Sequence, residues 1–289
     1  MMKTVCALAI AGIAGSAMGQ LDGMNVGAGL PLLAVQDTPT FFGDSSGADQ
    51  GAPFGSELNA IYGTIEGGTL KLGITGNLEA NFNKFWIFID GVAGGEQTLA
   101  GDNSDGGFGE INNLGYTFDN GFEPDHGLRF ELGGGFVGVN AFDLIDNSSS
   151  SVLAGGGTGD LPIVGASGSG VTVGWDNGNG AGVDGASAAG ALTATQGWEI
   201  EIDLLAFLGE VPSSVGVSAI ITNGGGDFTS NQVLGGIGGG DNLGARTGGD
   251  FANNDFNGIA GNQFVTVVPA PASAALLGLG GLVASRRRR

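Results

Sequence analysis

The side chains best suited to chemistry in this chain are oxygen donors set close together. Asp102, Asn103, Ser104 and Asp105 follow one another directly ahead of Gly106, a residue that permits a tight turn. Hard cations such as calcium take oxygen ligands of this kind, so these four are the candidate metal ligands and calcium is the one cofactor implied. The spacing is not that of an EF-hand, no glutamate closes the loop, and a solvated turn accounts for the same residues. Asp119, Asp125, Asp241 and Asp250 are the acids that folding could bring alongside. His126 is the single histidine, set between Pro124-Asp125 and Gly127. It reads as a surface-loop residue, and adjacency alone does not make Asp125 its orienting partner in a Ser-His-Asp triad. With one histidine and one cysteine, a zinc site has no ligand set. A glycosidase needs two carboxylates at a fixed separation, and 29 acids nominate too many pairs to choose among. Trp86, Trp175 and Trp198 could supply platforms for sugar stacking, but each sits in an apolar alternation, which favours core packing.

Those residues must be held by strands. Trp198, Ile200, Ile202 and Leu204 alternate with Glu199, Glu201 and Asp203, the period of a half-buried strand with a wet acidic face. Leu70, Leu72 and Ile74 alternate in the same way, as do Leu128, Phe130 and Leu132, and Val215, Val217, Ala219 and Ile221. Residues 85–89 are continuously apolar, as expected of a central strand buried on both faces. Weaker signals cover 58–65, 136–140, 171–175 and 264–268, and one helical turn fits 205–208. About nine strands separated by turns rich in Gly, Asn and Asp predict an all-β fold. Its expected form is a single antiparallel β-sandwich, jelly-roll-like, with long Gly-rich loops at 148–170 and 235–261. The chain's 61 glycines show no collagen period and cluster where turns need positive φ.

The two ends have a different character. Lys3, an apolar run over 5–13 and small residues through Ala17 and Gly19 have the order of a secretory signal peptide, with the cut ahead of Gln20. A buried terminal helix or strand is the other reading. The cut removes Cys6, so the mature chain has no thiol for a disulfide or a metal, and its stability rests on the core. At the other end Val268, Pro269, Ala270 and Pro271 precede an apolar stretch over 272–284, expected to be helical, and then Arg286, Arg287, Arg288 and Arg289. The stretch is short for a permanent span of about 20 residues. Arginines directly after it stay cytoplasmic and put the main domain across the membrane. The organisation is therefore a signal peptide at 1–19, a β-sandwich domain at 20–267 and a tail at 268–289.

A Pro-containing motif, a short hydrophobic helix and a terminal arginine cluster, in that order, resemble the PEP-CTERM sorting signal of exported bacterial proteins. The resemblance covers 268–289, and Ala270 stands where the family has Glu. It implies processing by an exosortase, a membrane transpeptidase-like enzyme, after the export translocase and signal peptidase have acted. An ordinary tail anchor is the alternative. The middle resembles, at the level of pattern, DOMON-like and xylanase-type carbohydrate-binding sandwich domains: Thr75-Gly76-Asn77-Leu78 lies between two strand signals, Asp90 ends the second, and the strand from Gly197 leads toward Gly209. That similarity implies a sandwich that binds a carbohydrate, such as an extracellular polysaccharide, or another small ligand.

Outside the two ends only Lys71, Lys84, Arg129 and Arg246 stand against the 29 carboxylates. Such a surface repels phosphate backbones and excludes nucleic-acid binding. The expectation is an exported, non-catalytic protein of the cell surface or extracellular matrix, held at the membrane through its tail at least for a time. The alternatives are a carbohydrate-binding module, calcium-assisted or not, and a secreted polysaccharide hydrolase.

Overall fold

The computed structural model describes residues 20–36, 38, 40, 42, 56–104, 109–146, 149–156, 161–179, 188–235 and 255–270. The signal segment at 1–19 and the tail helix expected at 272–284 lie outside these. Strands and helices are numbered along the chain. One sheet has six strands in the order β1 (Leu32–Val35), β2 (Glu57–Glu66), β3 (Thr69–Asn77), β10 (Gly197–Asp203), β9 (Val171–Trp175) and β8 (Ile163–Gly168). The other runs β12 (Thr229–Leu234), β11 (Val215–Thr222), β4 (Asn81–Asp90), β5 (His126–Gly133), β6 (Phe136–Asp143) and β7 (Ser149–Gly156), with β13 (Val265–Val267) also paired to β11. Every ladder between these strands is antiparallel. The protein is an all-β sandwich, with two short helices, α1 (Ala188–Ala191) and α2 (Leu204–Leu208).

The alternations in the sequence become the inner faces. Leu70, Leu72 and Ile74 of β3 stand opposite Ile202, Ile200 and Trp198 of β10. Together with Phe85, Ile87 and Ile89 of β4 and Leu128, Phe130 and Leu132 of β5 they form the core between the sheets. Phe85 and Trp198 meet across it with ring centroids 4.1 Å apart. The outer face of the seven-stranded sheet is apolar as well. Trp86, Phe88 and Ile220 lie there beneath Leu99, Ile111, Leu114, Tyr116, Phe118 and Phe256, a second core supplied by the β4–β5 connection and by residues 255–264. This double cover is why residues 85–89 carry no alternation.

Three expectations need correction. Residues 148–170 are not one long loop, because β7 and β8 lie within them. Both are the last strands of their sheets, and an edge strand pairs on one side only, so Ser and Gly suffice where a central strand needs bulk. Of the second expected loop, residues 236–254 lie outside the described residues, and Phe256–Gly258 forms a 3₁₀ turn. β12 went unread because its sequence, TSNQVL, is polar although every residue in it is buried. The third correction concerns the acidic face of β10. Asp203 is exposed and caps α2 by accepting the Ala206 N–H, but Glu199 is only 5% exposed. Residues 20–30 cover it. They lie flush on the six-stranded sheet because Gly73 and Gly174 have no side chain: a Cβ on Gly174 would fall 2.2 Å from the Leu21 carbonyl carbon, and one on Gly73 would fall 2.9 Å from the Gly27 nitrogen.

The inter-sheet aromatic contact makes a direct test. Phe85→Ala removes a fully buried ring from the centre of the core and is expected to lower stability by about 3–5 kcal/mol. Urea denaturation should show the midpoint falling with the slope unchanged.

Candidate functional sites

The acidic turn is only partly assembled. Asp102 is exposed, Ser104 is half-buried and Asn103 is turned inward at 4% exposure. Asn103 donates from Nδ2 to Glu96 Oε2 at 2.9 Å. Its backbone is clasped by the Asn112 amide, which accepts the Asn103 N–H at 2.8 Å and donates to the Asn103 carbonyl at 2.9 Å. Asp105 lies outside the described residues, as do Asp241 and Asp250. Among the described residues no group of three or more His, Cys, Asp or Glu side chains is placed to hold a metal ion.

His126 is not a loop residue. It opens β5, is 8% exposed, and packs its ring 5.1 Å from that of Phe207 on α2. Its Nδ1 lies 2.8 Å from Asp125 Oδ1 and its Nε2 lies 3.5 Å from Asp143 Oδ2. Adjacency in sequence does bring Asp125 to His126, because Asp125 is fully buried at the mouth of β5 and its other oxygen accepts the Gly91 and Val92 N–H groups at 2.6 Å. Both ring nitrogens thus face carboxylates, an order different from the nucleophile-His-Asp arrangement.

Beside this contact, a cleft of about 390 Å³ is lined by Asp90, Gly91, Glu210, Ser213, Ser214 and Thr266, among others. Burial pushes the Asp90 carboxyl above its ordinary range, against the Glu123 N–H it accepts; Asp125 and Glu123 add to the upward shift. Two other carboxyls are raised for the same first reason. Burial raises Glu199, although it accepts the Asp22 and Gly23 N–H groups, both at 3.0 Å. Burial likewise raises Asp119, which accepts the Gln263 N–H.

The three tryptophans pack in the core, as their apolar alternation favours, and offer no sugar platform: Trp86, Trp175 and Trp198 are all completely buried. Trp175 and Trp198 stack on each other inside the sandwich, with centroids 5.9 Å apart. Among the described residues the exposed aromatic rings are Phe82, Phe136 and Phe228, of which only Phe136 falls within a strand signal of the sequence. One clue was available, since each of these phenylalanines lies within two residues of a glycine or in an Asn-rich turn.

The root of the tail is described as far as Ala270. β13 ends at Val267, after which Val268 and Pro269 are exposed and Ala270 is half-buried. Pro269 bridges Ile65 on the edge of β2 in parallel register. The Ile65 N–H donates to the Val268 carbonyl at 3.3 Å, and the Ala270 N–H donates to the Ile65 carbonyl at 3.1 Å. Pro271 and Arg286, Arg287, Arg288 and Arg289 lie outside the described residues. At the other end Gln20 is exposed and Leu21 is already buried, while Ala17 and Gly19 are outside. Among the described residues no helix is long and apolar enough to cross a membrane. Comparison with known proteins gives no match: no family model, no curated protein and no solved structure resembles the chain.

Two predictions follow from the buried acids. A carboxyl whose pKa is raised by folding binds more protons folded than unfolded, so stability falls as pH rises. For Asp90, Asp119 and Glu199 the window begins at the ordinary carboxylate range near 4 and extends upward through their folded values. Thermal melts should show the domain more stable in mild acid than at neutral pH, with Glu199→Gln flattening the slope. Asp125→Ala strips two backbone N–H groups and His126 of their acceptor. It is expected to lower stability by about 2–4 kcal/mol, measured by denaturant titration.

Proposed function

We propose that the chain is an exported protein of the cell surface or extracellular matrix, sorted by its C-terminal tail and acting there in a structural or binding role without catalysis. The observation that carries this reading is the placement of the proline motif. The last strand ends at Val267, and Val268 and Pro269 follow immediately as exposed residues held on the edge of β2 by two backbone hydrogen bonds to Ile65, so a membrane enzyme could reach the motif by lifting this segment from the edge without unfolding the core. The order that follows, an apolar stretch and then four arginines, is that of a PEP-CTERM signal, and the segment ahead of Gln20 has the order of a secretory leader. The arginines hold the tail's end in the cytoplasm while the sandwich stands outside.

The domain suits that location. It owes its stability to two apolar layers and uses no thiol, so it is indifferent to the redox state outside the cell. The excess of 29 carboxylates over its few cations favours a solvated surface. A jelly-roll-like relation between the sheets agrees with the passage of the chain from β7, at the edge of one sheet, to β8, at the edge of the other.

The test is replacement of Arg286, Arg287, Arg288 and Arg289 by Gln, followed by cell fractionation and immunoblotting. The expected result is loss of normal sorting, with the uncut form accumulating or escaping to the medium. Unchanged location and unchanged processing would sink the proposal.

A further inference from the structure

The three most exposed large apolar side chains among the described residues are Leu205 at 62%, Val268 at 57% and Val211 at 51%. All three stand at the end of the sandwich where β2 turns into β3. The Val268 carbonyl accepts the Ile65 N–H at 3.3 Å, and Gly67 and Gly68 make the turn just beyond Glu66. The Gly68 carbonyl accepts the Leu204 N–H at 3.0 Å, so α2 starts over this turn and carries Leu205 in its first turn. Val211 packs against the same glycine: a Cβ on Gly68 would lie 3.7 Å from Val211 Cγ2. None of the three side chains belongs to either core, so folding alone does not require them to be apolar.

The direction in which the chain leaves the domain identifies what covers this end. Pro269 bridges Ile65 in parallel register, so residues 268–270 run with β2 toward Gly67. Ala270 is still held there, its N–H donating to the Ile65 carbonyl at 3.1 Å. Only Pro271 separates it from Ala272, the first residue of the apolar stretch. Two residues of extended chain reach about 7 Å, about the depth of one lipid headgroup layer. An apolar stretch that enters a bilayer therefore draws this end of the sandwich down onto the bilayer surface.

The charges at this end decide which lipid surface suits it. Glu66 pairs with Lys71 at 3.0 Å, Asp203 caps α2, and Glu210 is exposed between Leu205 and Val211. Acid outweighs base here, and that sign opposes anionic headgroups. A zwitterionic surface carries no such penalty and is gripped through buried aliphatic area alone. We propose that the end of the sandwich bearing Leu205, Val211 and Val268 docks on a zwitterionic lipid bilayer, with the three aliphatic side chains entering among the headgroups. The docking rests on the proposed membrane role of the tail and adds a second contact to it. It also sets the proline motif at the membrane surface, where a membrane enzyme works.

The test uses the full chain with C6S, which removes its one thiol. Single cysteines, L205C, V211C, L276C or F136C, carry an environment-sensitive fluorophore, and each protein is reconstituted into phosphatidylcholine vesicles containing a lipid-borne quencher. Phe136 marks the opposite end, next to the pairing of Gly133 with Asn81 at the start of β4. The expected result is strong quenching and a blue shift at Leu205, Val211 and the tail position Leu276, with the label at Phe136 remaining in water. Replacing part of the phosphatidylcholine by phosphatidylglycerol at low salt should weaken quenching at Leu205 and Val211 but not at Leu276, and added salt should restore it. Quenching at Leu276 without quenching at Leu205 and Val211 would overturn the docking and leave the membrane role of the tail standing. A label at Leu276 that stays in water would remove both. Equal quenching at Phe136, or quenching at Leu205 and Val211 that grows with phosphatidylglycerol, would also overturn the docking.

Discussion

The structure depends on β4 being dry on both faces. Inward, Phe85, Ile87 and Ile89 meet the six-stranded sheet; outward, Trp86 and Phe88 lie under the β4–β5 connection and residues 255–264. A strand of this kind cannot be satisfied by a two-layer sandwich alone, so the chain must supply a third layer from what would otherwise be loop. That requirement accounts for the long β4–β5 connection. Its apolar residues Leu99, Ile111, Leu114, Tyr116, Phe118 and Phe122 form a lid of side chains with little regular structure, joined through rings such as the Phe88–Phe118 pair at 4.9 Å. Several polar groups drawn into this layer find partners within it: Trp86 donates to the Thr222 hydroxyl at 2.8 Å, and the Tyr116 and Thr229 hydroxyls meet at 2.6 Å.

The third layer also fixes the charges. Glu110 sits in the connection's 3₁₀ turn and Glu131 on β5, and between them they engage Lys84 and Arg129. A chain with so few cations has placed two of them together, nearly out of contact with water. Burying ions is expensive unless each is matched, and here each cation meets both carboxylates, with the Gly224 carbonyl accepting from Lys84 at 2.7 Å. The cluster ties the connection to the sheet and the β11–β12 turn to β4. The chain's other acids far outnumber its other cations, so one sign dominates the surface field.

Alternation was legible wherever a strand had one apolar face, as in β3, β5, β10 and β11, and continuous hydrophobicity identified β4. What could not be read was coverage. Glu199 occupies a position that alternation assigns to solvent, and only the docking of Leu21 to Gly23 on a distant glycine surface makes it buried. The edge strands β7 and β8 hide in Ser and Gly because an edge asks little of its side chains. His126 misled for a related reason: Pro124 and Gly127 suggested a loop, but Gly127 is there because a Cβ would collide with the Phe142 ring at 2.2 Å, a packing demand inside a strand. The motifs at the two ends are linear, so they can be read as motifs without a fold, and nearly all of their residues lie outside the described ones.

The edge of β2 links the fold to the tail. β1 covers that edge from Ala60 to Tyr62, and the Pro31 carbonyl accepts the Gly63 N–H at 3.0 Å. Beyond this point the strand would present bare N–H and C=O groups, a template for pairing with another chain. Val268 and Ala270 take up both polar groups of Ile65 instead, with Pro269 between them. A proline has no N–H to offer further, so the segment closes the edge without extending it. The root of the tail therefore belongs to the sheet as much as to the motif it begins, and the point at which the chain leaves the domain is set by backbone hydrogen bonds and not by a free linker.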